Sequence, residues 1–267
     1  MKQCSPSDNS AKRRPGWFAR TALESALAKG GCLLCQALRA SARRDLFSFL
    51  YEGMMSGDVR QKFLQGGGFC RLHFWQAKAI EDECWPEGFG VSILCDNLVS
   101  LSLRNLEAWQ APRRASRVGL RRFGHQERNG GAILNPGAGC IACATLRDRE
   151  EHYLGSLQQL LEEADFSQRY CRSQGLCLPH LEIALRSWES SVALERINKT
   201  AQSVMRQLLH DLQEFQRKHD YRYKDEPRGS EWTSPRRTIE FLVGPVADLT
   251  DFQELQPTRK TRHNAKG

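Results

Sequence analysis

The chain has 267 residues, 40% of them hydrophobic and 26% charged, which is long enough to bury a core without disulfides and has the balance of a soluble globular protein. No apolar run approaches the roughly 18 residues of a membrane span, and the basic opening stretch lacks the apolar segment of a secretory signal, so the cytoplasm is the expected compartment. The net charge of +8 is unevenly placed: residues 1–20 carry five Lys/Arg against one Asp, 111–139 six Arg against one Glu, and 256–267 four Lys/Arg and no acid, which leaves the rest of the chain net acidic.

In chain order, residues 1–20 read as a basic, disordered N-terminus. A first helical unit follows over 21–110. Cys35, Leu38, Ala42, Leu46 and Phe49 step by three or four and make one face of an α-helix. A short helix around "DVRQKFL" ends in "QGGGF", where Gly68 is expected at positive φ. Next come a helix opening on Cys70 and His73 and a long amphipathic helix over about 88–110. Residues 111–139, rich in Gly, Pro and Arg, read as a linker.

The second unit, 140–220, repeats the first. At a shift of 108, Cys32, Cys35, Leu38, Arg39, Leu46 and Phe49 fall on Cys140, Cys143, Leu146, Arg147, Leu154 and Leu157. At a shift of 107, Gly68, Cys70, His73 and Ala77 fall on Gly175, Cys177, His180 and Ala184. A short helix at "DFSQRYC", a Gly175 turn, the Cys177/His180 helix and a long helix over 190–219 complete it. A strap and helix over 221–250, with Ser234 as expected N-cap and Pro235 at the first position, precede a basic tail over 251–267. Strand-like alternation is absent throughout, and the expected fold is all-α, two tandem duplicated helical units packed together.

Each repeat carries Cys-x-x-Cys near its start and Cys-x-x-His further on. Ligands at i and i+3 on a helical first turn face the same way, so two such pairs can enclose one ion. Within each repeat the natural sets are Cys32, Cys35, Cys70, His73 and Cys140, Cys143, Cys177, His180, each a Cys3His site. Packing as ordinary core cysteines does not explain eight matching positions, and a thioredoxin-like disulfide lacks the βαβ context. Haem attachment fails because Gln36 and Ala144 stand where His is needed. Two zinc ions are the favoured cofactors and iron–sulfur clusters the alternative. Of the other cysteines, Cys4 has no role, Cys95 and Cys171 read as core, and Cys84 as an inert exposed thiol.

"CLLC" with "GGFCRLH", then "CIAC" with "QGLCLPH", together with the closing "DYRYKDEPRGSEWTSPRRTIEFLVG", resemble an uncharacterised bacterial family of unknown function over roughly 30–244. The resemblance implies a Cys/His metal-binding helical protein and names no substrate. Leu176 stands where that pattern has Phe.

No Walker loop, dinucleotide fingerprint, HExxH or nucleophile elbow is present, so the sequence leans away from an enzyme. The expected function is a non-catalytic, zinc-stabilised binding or regulatory module for an unidentified protein or ligand. The alternatives are an iron–sulfur protein in electron transfer or redox sensing, and a thiolate switch that ejects zinc on oxidation. Nucleic acid is the less favoured partner, through the basic linker. Tyr221, Tyr223, Trp232, Arg236 and Arg237 form the candidate partner surface, since Tyr, Trp and Arg are enriched at interfaces.

Overall fold

The computed structural model describes residues 15–86, 88–108, 139–223 and 225–245. Cys4, most of the basic N-terminus, the 111–139 linker apart from its last residue, and the 251–267 tail lie outside them. Among the described residues there are ten α-helices and no strand. They are α1 (Trp17–Ala28), α2 (Leu33–Tyr51), α3 (Gly57–Gln65), α4 (Arg71–Cys84), α5 (Gly90–Ala108), α6 (Ile141–Leu160), α7 (Ala164–Cys171), α8 (Leu178–Ser187), α9 (Ser191–Arg217) and α10 (Ser234–Val243).

The helices from α2 to α5 and from α6 to α9 fall where the repeated pattern places them. Helix α1 does not: it begins inside the stretch expected to be disordered, because Ala19, Leu23 and Ala26 repeat at helical spacing and are buried. The cap of α10 also differs by one residue. Thr233 is the cap and Ser234 already has helical dihedrals, which places Pro235 at the second position of the helix.

The chain forms two compact units that divide it elsewhere than the sequence repeats do. Among the described residues, one contains 15–40 and 147–245, the other 41–108 and 139–146. Helices α2 and α6 each change unit partway along, and their burial shows why. Leu33, Leu34 and Ala37 at the start of α2 join the core of the first unit, whereas Leu46 and Phe49, about three turns later, join that of the second. Conversely, Ala142 of α6 lies in the second unit's core, and Tyr153, Leu154, Leu157 and Leu160 lie in the first's. The two ends of each helix thus serve different cores.

The first unit's core gathers Leu23 of α1, Leu157 and Leu160 of α6, Phe166 and Tyr170 of α7, Ala184 of α8 and Ile197 of α9. Helix α9 owes its length to a regular inward face, with Ala193, Ile197, Thr200, Ala201, Leu208 and Asp211 buried, and to Ser190, whose side chain accepts a hydrogen bond from the Ala193 amide at 3.4 Å. Helix α10 packs on α8 and α9 and ends at Gly244, where φ is 84°.

The second unit's core is aromatic. Phe69 meets Phe49, Phe63 and Phe74 edge-on, with ring centroids 4.9, 5.0 and 5.9 Å away. Gly68, at φ +90°, lets the chain reverse between α3 and α4 under Leu98, whose Cδ1 would lie 2.8 Å from a Cβ there.

Candidate metal centres

Four helices begin in the same way. Cys32, Cys70, Cys140 and Cys177 each precede the first helical residue of α2, α4, α6 and α8, and the carbonyl of each accepts the opening helical hydrogen bond, from Gln36, Phe74, Ala144 and Leu181 at 2.9 to 3.1 Å. The second ligand candidate of each pair, Cys35, His73, Cys143 or His180, lies three residues further on, in the first turn. Both side chains of a pair therefore stand at a helix N-terminus, where free amides and the helix dipole favour thiolate over thiol.

The pairs meet across the repeats. Cys32, Cys35, Cys177 and His180 form one cluster and Cys70, His73, Cys140 and Cys143 the other, and in each the candidate donor atoms all lie within 4.8 Å of one another. All eight residues singled out in the sequence fall in these two clusters, but the within-repeat sets are corrected. Cys32 and Cys35 join Cys177 and His180, while Cys140 and Cys143 join Cys70 and His73. The reason is the change of unit inside α2 and α6, which puts the N-terminus of each repeat's first helix in the unit holding the other repeat's Cys-x-x-His turn. One of the contacts that hold this arrangement is the Leu33 amide, which donates to the Gly175 carbonyl at 3.3 Å.

The geometry of the two clusters is nearly the same. In the first, His180 Nδ1 lies 3.4, 3.4 and 3.1 Å from the sulfurs of Cys32, Cys35 and Cys177, and Cys35 Sγ is 3.7 Å from Cys177 Sγ. In the second, His73 Nδ1 lies 3.1, 3.5 and 3.3 Å from those of Cys70, Cys140 and Cys143, and Cys143 Sγ is 3.7 Å from Cys70 Sγ. With Nδ1 turned inward, the ring proton belongs on Nε2. His180 Nε2 donates to Glu150 Oε1 at 2.9 Å.

Crowding perturbs the protons of these groups. Hydrogen bonds with Cys177 and Cys35 drive the Cys32 thiol far below its ordinary pKa, while Cys177 and Cys32 drive that of Cys35 far above it. Burial, and then Cys70, push Cys143 up to about 12. Burial lowers the His180 pKa, but Cys177 and Cys32 outweigh it and lift the value to about 10, whereas burial alone leaves His73 lowered. Three sulfurs this close ionise together only if a cation balances them. Each cluster could hold a metal ion.

Around the first cluster, helix α10 forms a roof. A cavity of about 120 Å³ lies beneath it, lined by Cys32, Cys177, Leu208, Arg237 and Phe241 among others. In the second unit a wider cleft of about 680 Å³ opens between Tyr51, Met54, Met55, Trp85, Phe89 and Ile93. Met55, Phe89 and Tyr51 are 85%, 69% and 62% exposed, a contiguous apolar patch that sequence periodicity did not single out because its residues sit at helix ends and in turns.

The strap residues divide. Arg237 donates to Asp211 Oδ2 at 2.7 Å and to the Ser230 carbonyl, Trp232 stacks on His219 with Arg228 above it, and Tyr223 lies under Arg217. Tyr221 and Arg236 point outward, Arg236 while paired with Glu240. Cys95 and Cys171, expected in the core, are both exposed: each sits on a helix face that turns to solvent.

An all-helical chain with two Cys/His clusters built on paired helix N-termini defines a metal-binding type of helical protein, in the sense that each cluster can hold an ion. Within that class the chain belongs to DUF6062, a family of unknown function, whose model matches residues 22–248. No curated protein and no solved structure matches the chain.

Proposed function

We propose that the protein is a non-catalytic helical binding or regulatory module, clamped by two zinc ions, one held by Cys32, Cys35, Cys177 and His180 and the other by Cys70, His73, Cys140 and Cys143. The observation that carries this reading is the spacing of the donor atoms. A tetrahedral ion with bonds of about 2.0 to 2.3 Å separates its ligand atoms by roughly 3.3 to 3.8 Å, the longest edges lying between sulfurs, and the sulfur–sulfur distances of 3.7 Å agree with those edges. The shorter sulfur–nitrogen distances, 3.1 to 3.5 Å, are those of the same tetrahedron slightly contracted. An iron–sulfur cluster interposes several atoms between its protein ligands and calls for a wider cage.

Four protein donors fill a zinc coordination sphere, so the site has no open position at which water or substrate can be activated, and its contribution is to folding. The ion supplies charge balance for three thiolates, and the helix N-termini supply amides and dipole on the same side. The binding part of the reading is supported by the apolar cleft of the second unit, whose size is that of a ligand or side-chain pocket and whose exposed Met55, Tyr51 and Phe89 suit an apolar surface.

Metal analysis with an absorption spectrum on protein purified without oxygen tests the metal reading. About two zinc ions per chain and no visible absorption are expected. Iron with sulfide and a brown chromophore would replace zinc by clusters, and metal-free protein of full helicity would remove the reading altogether.

A further inference from the structure

The two clusters share a donor set but not their surroundings. Glu150 lies on α6 seven residues, or two helical turns, beyond Cys143, and its carboxylate reaches His180 Nε2 at 2.9 Å. The counterpart of Glu150 in the 108-residue register is Ala42, seven residues beyond Cys35 on α2, a buried methyl group that offers no acceptor. Among the described residues no ion pair joins the His73 ring to a carboxylate as one joins His180 to Glu150. Gly244, at the end of α10, also comes up to the first cluster: a Cβ there would lie 3.8 Å from Cys35 Sγ. The cavity under α10, about 120 Å³, has room for a few waters but not for a chelator.

A carboxylate accepting the free ring N–H of a ligating histidine fixes the tautomer, holds the ring plane and makes the coordinating nitrogen more basic, and such partners are typically worth about 10- to 100-fold in metal affinity. We propose that Glu150 is a positioning residue that makes the two centres unequal: the Cys32/Cys35/Cys177/His180 centre retains its ion, and the Cys70/His73/Cys140/Cys143 centre is the exchangeable one. The chain then carries one permanent clamp and one that opens to metal supply, so that its second unit responds to available zinc while its first does not. This rests on the zinc reading above.

Zinc release from the full-length protein into excess 4-(2-pyridylazo)resorcinol, after the zinc content has been counted, tests the inference. Two phases of equal amplitude are expected, about 10-fold or more apart in rate, with Glu150→Gln accelerating the slow phase by a similar factor and leaving the fast phase as it was. A long-range proton–nitrogen NMR spectrum of the histidine rings gives a second readout that does not depend on release. The His180 Nε2 proton should exchange slowly with water in the wild type and quickly in Glu150→Gln, with His73 unchanged. A protein lacking zinc defeats the metal reading itself. A protein holding two zinc ions that leave at one rate, or whose slow phase and His180 proton ignore Glu150→Gln, overturns this inference and leaves that reading standing.

Discussion

The crossing of ligand pairs between repeats can be tested by substituting cysteines two at a time. Cys35 and Cys177 are 142 residues apart and belong to different repeats, yet their sulfurs are 3.7 Å apart in one cluster. Cys35 and Cys70 belong to the same repeat but to different clusters. Each serine replacement removes a thiolate from a four-donor site, and structural zinc binding in small domains is worth about 10 to 16 kcal/mol, so one lost ligand is expected to empty its centre at micromolar free zinc. Cys35→Ser and Cys177→Ser should each lower the content from about two ions per chain to about one, and the double variant should stay near one because both act on the same ion. Cys35→Ser with Cys70→Ser should lose both. Metal analysis after gel filtration reads the count, and circular dichroism reports which variants keep their helices. Retention of one ion by Cys35→Ser/Cys70→Ser, with loss of both by Cys35→Ser/Cys177→Ser, would restore the within-repeat sets and refute the crossing.

Phe63 is fully buried among Phe49, Phe69 and Phe74, with centroids at 5.6, 5.0 and 6.3 Å, so Phe63→Ala should cost about 3 to 5 kcal/mol in urea denaturation of the metal-loaded protein. The strap should loosen in acid. The Gly229 amide and the Lys218 ammonium hold the Glu231 carboxyl down at about 2 against an ordinary 4.5, so its stabilisation is complete above 4.5 and is lost as pH falls towards 2. Glu231→Gln should be less stable than wild type near neutrality, and the gap should close as the acid titration passes through that window.

The residues that were legible from sequence are those whose chemistry repeats. Eight Cys and His positions in one register mark the residues that make up the clusters, and the 3–4 spacing of Leu38, Ala42, Leu46 and Phe49 and its echo at Leu146, Leu154 and Leu157 marks α2 and α6 as helices. The same spacing could not say which core each turn enters. Leu34 and Leu46 belong to one helix but to different cores, and only tertiary packing assigns them, so pairing within a repeat was the simpler inference. Positive φ at Gly68 and Gly175 was readable because a reversal between two helices needs it. Helix α1 was hidden by the charge of its flanks, and Cys95 and Cys171 by neighbours apolar enough to suggest burial. The role of Glu150 could not be seen at all: its register partner is alanine, and a carboxylate two turns from a cysteine carries no motif.

X-ray absorption at the zinc edge of the loaded full-length protein tests the central claim most directly, because it counts donors around the ion itself. Three sulfurs at about 2.3 Å and one nitrogen at about 2.0 to 2.1 Å, with no second metal as neighbour, are predicted as the average of both centres. Oxygen in the coordination sphere, fewer than three sulfurs, or a nearby metal atom would contradict two closed single-ion clamps.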